Sequence, residues 1–172
     1  MAATLETARP AAGGKHAGVG VNVSQIVSFK LAEEEYGLDI MKVQEIILIG
    51  QITQMPQAPE FVRGLINLRG HVIPIIDLRK RFGLPEVEKA ESQRIIVVNV
   101  GRRTIGIVVD EVDQVLRVKA EDIEPPPTSI KGIDHDFICG LVKRDTKLVI
   151  LLDVERLLTE QEREALNAPA SA

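Results

Sequence analysis

The sequence predicts a mainly β protein built as a pair of small barrels packed together. Three observations carry this reading. Short apolar runs with strand periodicity recur along the chain, two close hairpins stand in its second half, and no helical pattern exceeds a couple of turns. A small barrel needs about four or five strands, and roughly twice that number are legible here. Closing each sheet removes the unpaired edges on which chains aggregate. A single barrel of about eight to ten strands meets the same pattern, and periodicity does not separate the two.

In chain order, Gln25–Leu31 alternates, with Val27, Phe29 and Leu31 on one side and Ser28 and Lys30 on the other, the mark of a half-buried strand. EEEYG reads as a turn, and Tyr36 opens a second extended run. KVQEIILI (Lys42–Ile49) is rich in β-branched residues and ends at Gly50, which favours strand over helix. Ala58–Arg63 suits one helical turn with Pro59 just inside its start. Gly70–Ile76 is a strand, and Pro74 marks it as an edge or a bulge, because proline donates nothing to a ladder. Asp77 is placed to cap the turn LRKRF, which Gly83 and Pro85 close.

QRIIVVNV (Gln93–Val100), the turn at Gly101-Arg102-Arg103 and TIGIVV (Thr104–Val109) form a hairpin. Val112–Val118 alternates again. EPPPTSIKG must be a loop, since its three prolines exclude both helix and ladder. Phe137–Val142 and Lys147–Leu152 form a second hairpin. Two short helices end the fold, the last opening with Thr159 and Glu162 at capping-box spacing. The expected organisation is a flexible Ala/Gly/Pro-rich tail over residues 1–22, a folded region over 23–167 and a short flexible tail over 168–172.

Composition narrows the function. The chain has 172 residues, 45% hydrophobic and 27% charged, with a formal charge of -4, an ordinary soluble composition that suits a single domain or two small subdomains. A mildly acidic chain is a poor prior for nucleic-acid binding, which needs a basic surface. Arg79-Lys80-Arg81 and Arg102-Arg103 could form a basic patch, but the stacking aromatics of single-strand binders are scarce. No apolar run approaches the ~20 residues of a membrane span, and no signal peptide is apparent. The single cysteine, Cys139, excludes an intrachain disulfide and fits a reducing, cytoplasmic compartment.

Catalytic signatures are missing from the sequence. There is no nucleophile elbow, no phosphate-binding loop and no zinc-ligand spacing, and no cofactor is implied. Asp134-His135-Asp136 reads as a solvated loop. Cys139, in phase with Phe137 and Leu141, reads as a core thiol rather than a nucleophile. A rigid β scaffold with surplus apolar residues points instead to protein binding. In KVQEIILI, Val43, Ile46, Ile47, Leu48 and Ile49 crowd together, and in a strand they point both ways. Some therefore reach a surface unless all are core, and Glu45 and Arg69 are natural rim charges for such a patch.

Four blocks in order, EEEYGLDIMKVQEII, PEFVRGLINLRGHVIPIIDLRKRFGL, IGIVVDEVDQVLRV and GLVKRDTKLVILLDVERLL, resemble the CheW family of bacterial chemotaxis coupling proteins. The resemblance spans roughly residues 24–166. It implies two SH3-like five-stranded barrels around a shared hydrophobic core. It also implies a non-catalytic adaptor, located in the cytoplasm at receptor arrays, that joins the cytoplasmic hairpin tips of chemoreceptors to the regulatory domain of the histidine kinase CheA. Neither nucleic acid nor membrane insertion is expected. Coupling proteins of related pathways for surface motility or biofilm formation look the same at this level. By motif match, receptor contact falls on Ile40, Val43 and Glu45, while Gly64, Asn67 and Arg69 line or support the neighbouring groove. Two residues keep a second reading: Gly64 as a simple turn glycine, and Arg69 in a structural ion pair with a nearby carboxylate.

Overall fold

A computed structural model describes residues 25–88, 90–126 and 137–167. The expected tails, most of the proline loop and the His135 cluster lie outside the described residues. Among the described residues eleven strands form two sheets, which excludes the single large barrel. The chain enters through β1 (Gln25–Leu31) and β2 (Glu34–Asp39), then crosses to a second unit. There it builds β3 (Val43–Leu48), β4 (Val62–Leu68), β5 (His71–Asp77), β6 (Arg94–Val100) and β7 (Arg103–Val109). It returns to the first unit for β8 (Glu111–Arg117), β9 (Ile123–Glu124), β10 (Ile138–Arg144) and β11 (Lys147–Leu152). Two short helices, α1 (Leu78–Arg81) and α2 (Glu160–Asn167), flank the sheets.

The sheets share one plan. The first runs β8-β1-β2-β11-β10-β9 and the second β3-β6-β7-β5-β4. In each, two antiparallel hairpins are joined by one parallel pairing, β2 with β11 and β7 with β5, and an extra strand flanks one hairpin. This repeat lives in topology, not in residue identity. The two-residue β9 adds a sixth strand to the first sheet, where five per barrel is expected.

Three cores follow from the alternation of side chains. Ile26, Leu116, Val142, Val149 and Leu151 fill the first barrel, and Ile73, Ile75, Ile95, Val97 and Val108 fill the second. The largest cluster lies between them and takes Phe29, Leu31 and Leu38 from the first sheet and Ile96, Val98, Ile105 and Ile107 from the second. Strand β6 is thus buried on both faces, which is why it reads as a continuous apolar run. All five aromatic residues of the chain join or pack against this shared core. Phe29, Tyr36, Phe82 and Phe137 form a chain of rings with centroids 5.9, 5.6 and 4.7 Å apart, and Phe61 lies under the Arg81 guanidinium at 5.1 Å. These rings bridge the two units at spacings that favour aromatic packing.

Charged groups staple the same junction. Arg79 donates to both oxygens of Asp110 at 2.9 and 2.6 Å and to the Pro85 carbonyl at 2.6 Å. Asp110 also accepts from the Ala32 backbone N–H at 2.8 Å, tying α1 of the second unit to the β1–β2 turn of the first. Burial pushes the Asp110 carboxyl up, but the Arg79 and Ala32 hydrogen bonds outweigh it and hold the group below the ordinary carboxylate range. Asp77 caps α1 as expected, accepting from the N–H groups of Arg79 and Lys80. Thr159 and Glu162 form the capping box reciprocally, at 2.8 and 3.1 Å.

Four expectations need correction. EEEYG is not a turn: the turn lies at Ala32 and Glu33, and Glu34 to Gly37 already belong to β2. Ala58–Arg63 is no helical turn. Val62 N–H donates to the Pro59 carbonyl in a single tight turn, and Val62 and Arg63 already belong to β4. Pro74 lies on no edge strand: β5 is internal, but its pairing with β7 begins only at Ile75, so the missing N–H disturbs no ladder on that side. Finally, a bulge between Ile138 and Gly140 shifts the phase of β10, so the buried positions are Phe137, Gly140 and Val142, with Cys139 half-buried.

Candidate protein-docking surface

Strand β3 is an edge strand that emerges from a short 3-10 turn, Ile40–Lys42. Asp39 caps this turn by accepting from the Met41 N–H at 2.9 Å, and Lys42 ties it to Glu155 near the C-terminus at 2.8 Å. Residues along β3 then alternate between exposed and half-buried. Ile47 packs with Ile49 and Ile52 against the core of the second barrel, while Ile46 and Leu48 point outward, Leu48 68% exposed. Met41 on the preceding turn is 82% exposed, and Val72 on β5 is 65% exposed. An edge strand presenting apolar side chains calls for a cover.

The β4–β5 hairpin closes the same barrel. Leu68 pairs with His71, leaving a two-residue turn in which Arg69 and Gly70 both adopt positive φ, 52° and 87°. Such a turn matches the twist of its strands. Asn67 locks it by accepting from the Gly70 N–H through Oδ1 at 2.9 Å. The turn directs Arg69 at Glu45 on β3, and the guanidinium donates to both carboxylate oxygens at 2.7 and 2.6 Å. This bidentate pair joins the first and last strands of the sheet at the barrel mouth. Arg69 is 65% exposed and Glu45 24% exposed. The Arg69 hydrogen bonds hold Glu45 below the ordinary carboxylate range. Both readings of Arg69 therefore meet in one geometry: it is ion-paired, and it stands at the rim.

Gly64 is buried at φ +150°. A Cβ there would lie 2.2 Å from the Thr53 carbonyl oxygen. Thr53 and Leu65 exchange backbone hydrogen bonds at 2.8 and 2.7 Å, so the segment after β3 folds back onto the free edge of β4. The close approach that this glycine permits is thus made by the chain's own backbone, and Gly64 supports the surface from beneath. Among the other expected residues, Glu45, Asn67 and Arg69 come together at the barrel mouth. Ile40 and Val43 sit half-buried on the adjoining turn and strand start, Val43 against the shared core. Met41 and Val72 were not singled out from the sequence. Their signal was only that Met41 sits in a turn and Val72 alternates with buried Ile73.

The alternative chemistries find no footing among the described residues. Arg79, Lys80 and Arg81 pair with Asp110, Glu86 and Glu162, and Arg103 donates to the Arg163 carbonyl, so four of these five basic residues are engaged within the molecule. Burial, with Asp153 nearby, pushes the Cys139 thiol up to about 11, which leaves it protonated at neutral pH. Among the described residues no group of three or more metal-type side chains gathers, and no helix is long and apolar enough to cross a membrane.

A doubled barrel with a shared core and an apolar, charge-rimmed edge defines a protein-binding scaffold. Comparison with known proteins identifies which kind. The CheW-like domain matches residues 25–162. The chain is 42% identical to the chemotaxis protein CheW of Klebsiella aerogenes, over 80% of this chain and 83% of the relative. It is 38% identical to the CheW of Treponema pallidum, over 83% and 86%. The crystal structure of the scaffolding protein TtCheW from Thermoanaerobacter tengcongensis superposes with a TM-score of 0.76 at 42% identity, covering 81% of this chain and 95% of that one. The chain belongs to the CheW-like family of chemotaxis scaffold proteins. It is a scaffold rather than an enzyme.

Proposed function

We propose that this protein couples the cytoplasmic hairpin tips of chemoreceptors to the regulatory domain of the histidine kinase CheA, within cytoplasmic chemotaxis arrays. The observation that carries the receptor half is the exposed apolar set of β3, Ile46 and Leu48, beside the Glu45–Arg69 pair. A receptor tip is a helical hairpin. Helices dock apolar faces into apolar surfaces, and rim charges set their register. Glu45, Asn67 and Arg69 supply the rim, Ile40 and Val43 flank it, and Gly64 lets the supporting segment close beneath. The shared core and its aromatic chain pack the two barrels against each other, which suits a part that must hold two partners.

The test is binding of purified protein to a receptor cytoplasmic fragment and, separately, to the kinase regulatory domain. Wild type binds both. Leu48→Asp loses the receptor and keeps its melting temperature, because Leu48 is already solvated. If Leu48→Asp binds receptor as wild type does, β3 is not the receptor surface. If wild type binds neither partner, the coupling role itself is refuted.

A further inference from the structure

The parallel pairing of the first sheet sets two turns side by side. Strands β2 and β11 run together in register, with Gly37 beside Leu151 and Leu38 beside Leu152. Each strand is followed by a 3-10 turn that an aspartate caps, Asp39 before Ile40–Lys42 and Asp153 before Val154–Arg156. Asp39 accepts from the Met41 N–H at 2.9 Å, and Asp153 from the Glu155 N–H at 3.0 Å. The local sequences, DIMK and DVER, put a lysine on one turn and a glutamate on the other. Lys42 Nζ donates to Glu155 Oε2 at 2.8 Å, and that hydrogen bond holds Glu155 below the ordinary carboxylate range.

The two turns are anchored differently. Val154, Leu157 and Leu158 are buried in the shared core. The Arg81 guanidinium donates to the Leu157 carbonyl at 2.8 Å, and the Arg163 guanidinium to the Glu155 carbonyl. Glu155 therefore stands on a fixed backbone. The turn Ile40–Lys42, by contrast, buries no residue, and Met41 is 82% exposed. A segment with few buried contacts opens locally at little cost. Between its flanking strands, this turn is held by the Asp39 cap and by the bond from Lys42 to Glu155.

We propose that Lys42 and Glu155 are a positioning pair for the docking surface: through their bond the anchored turn sets how Ile40 and Met41 meet a receptor helix. This inference rests on the receptor reading and deepens it. It places a determinant of receptor binding on the C-terminal segment, at a residue that acts through Lys42 rather than by touching the receptor. The two side chains are 40% and 45% exposed, so the pair adds little to global stability. Its effect is local. A loose turn must be ordered when a receptor docks, whereas a turn already held in place spares the complex that cost.

The experiment is a double-mutant cycle on the whole protein, with Lys42→Met, Glu155→Gln and the two together. Two quantities are read: affinity for a receptor cytoplasmic fragment, and the ¹⁵N order parameters of the Ile40 and Met41 amides. Each single variant is expected to lower affinity about fivefold and the double variant no further, since either change breaks the same bond. Lys42→Arg keeps a charge-assisted bond to Glu155 and retains most of the affinity. The order parameters fall from about 0.85 in wild type to about 0.6 in Glu155→Gln, while the melting temperature stays at the wild-type value. If wild type binds and Leu48→Asp does not, yet Glu155→Gln binds as wild type does, this inference fails and the receptor reading stands. A loss confined to Lys42→Met would make Lys42 a direct contact and would equally overturn it, as would losses that add in the double variant or order parameters that do not move. Wild type that binds no receptor would overturn both.

Discussion

The two barrels follow one strand plan, yet equivalent positions carry opposite surfaces. Strand β8 flanks the first barrel where β3 flanks the second. On β8 the exposed residues are Glu111, Asp113, Gln114, Val115 and Arg117, a mostly polar edge broken by a bulge opposite β1. Charge is a usual protection of a free edge, and since β3 also carries a bulge, opposite β6, the difference lies in the side chains. On β3 the exposed residues beyond Gln44 are Ile46 and Leu48. The hairpin tips differ in the same sense. Arg69 in the second barrel reaches across to β3, whereas Lys143 beside the tip of the first pairs with Glu124 on the neighbouring β9. The same architecture is thus protected on one side and left adhesive on the other. This contrast is what leads us to propose docking on the second barrel.

Four predictions test how far the contrast extends, beginning with the strongest. Gly64→Ala places a Cβ against the Thr53 carbonyl at a positive φ. It is expected to cost about 3 kcal/mol or more in urea denaturation. A near-neutral result would show that the close approach of Thr53 does not constrain Gly64. Next, Arg79→Met leaves Asp110 part-buried without its main partner and is expected to cost about 2 kcal/mol. That marks the junction pair as structural, in contrast to the mouth pair.

The junction pair also predicts a pH dependence. The folded-state pKa of Asp110 is lowered, so its contribution is fully present above the ordinary carboxylate pKa of about 4 and is lost as pH falls through the lowered value. Wild type should lose stability over that acidic window, and Arg79→Met should lose less of it. Thermal melts across pH 2–6, a range chosen around that ordinary pKa, decide the point. The smallest expected effect is at Cys139. Its thiol, raised to about 11, should be alkylated by iodoacetamide far more slowly at neutral pH than a free cysteine, whose pKa is near 8.5. Rapid labelling of the folded protein would show that the site opens.

Much of this was legible in the sequence. Period-two alternation located most strands, and the continuous run of Arg94–Val100 is what a strand between two cores must look like. Asp77 and the Thr159–Glu162 box were readable because capping is local. The failures share a cause. Strand β4 is obscured in the sequence because its Gly64 answers to the Thr53 backbone, a contact invisible to any short window. The pairing of Glu45 with Arg69 depends on barrel closure between the outermost strands, so the sequence offered two rim charges but not their union. The repeated strand plan is not legible in the sequence because it survives in connectivity alone. Cys139 was misphased by a bulge that periodicity cannot anticipate.

The most direct test of the central claim, that the mouth of the second barrel is a docking surface and not part of the fold's support, is one titration. A receptor cytoplasmic fragment is titrated into wild type and into Arg69→Glu, with melting curves recorded on the same samples. Receptor affinity is expected to fall about tenfold or more while the melting temperature stays at the wild-type value, because Arg69 and Glu45 pair in solvent. Unchanged affinity, or a loss that only follows a collapse in melting temperature, would contradict the account.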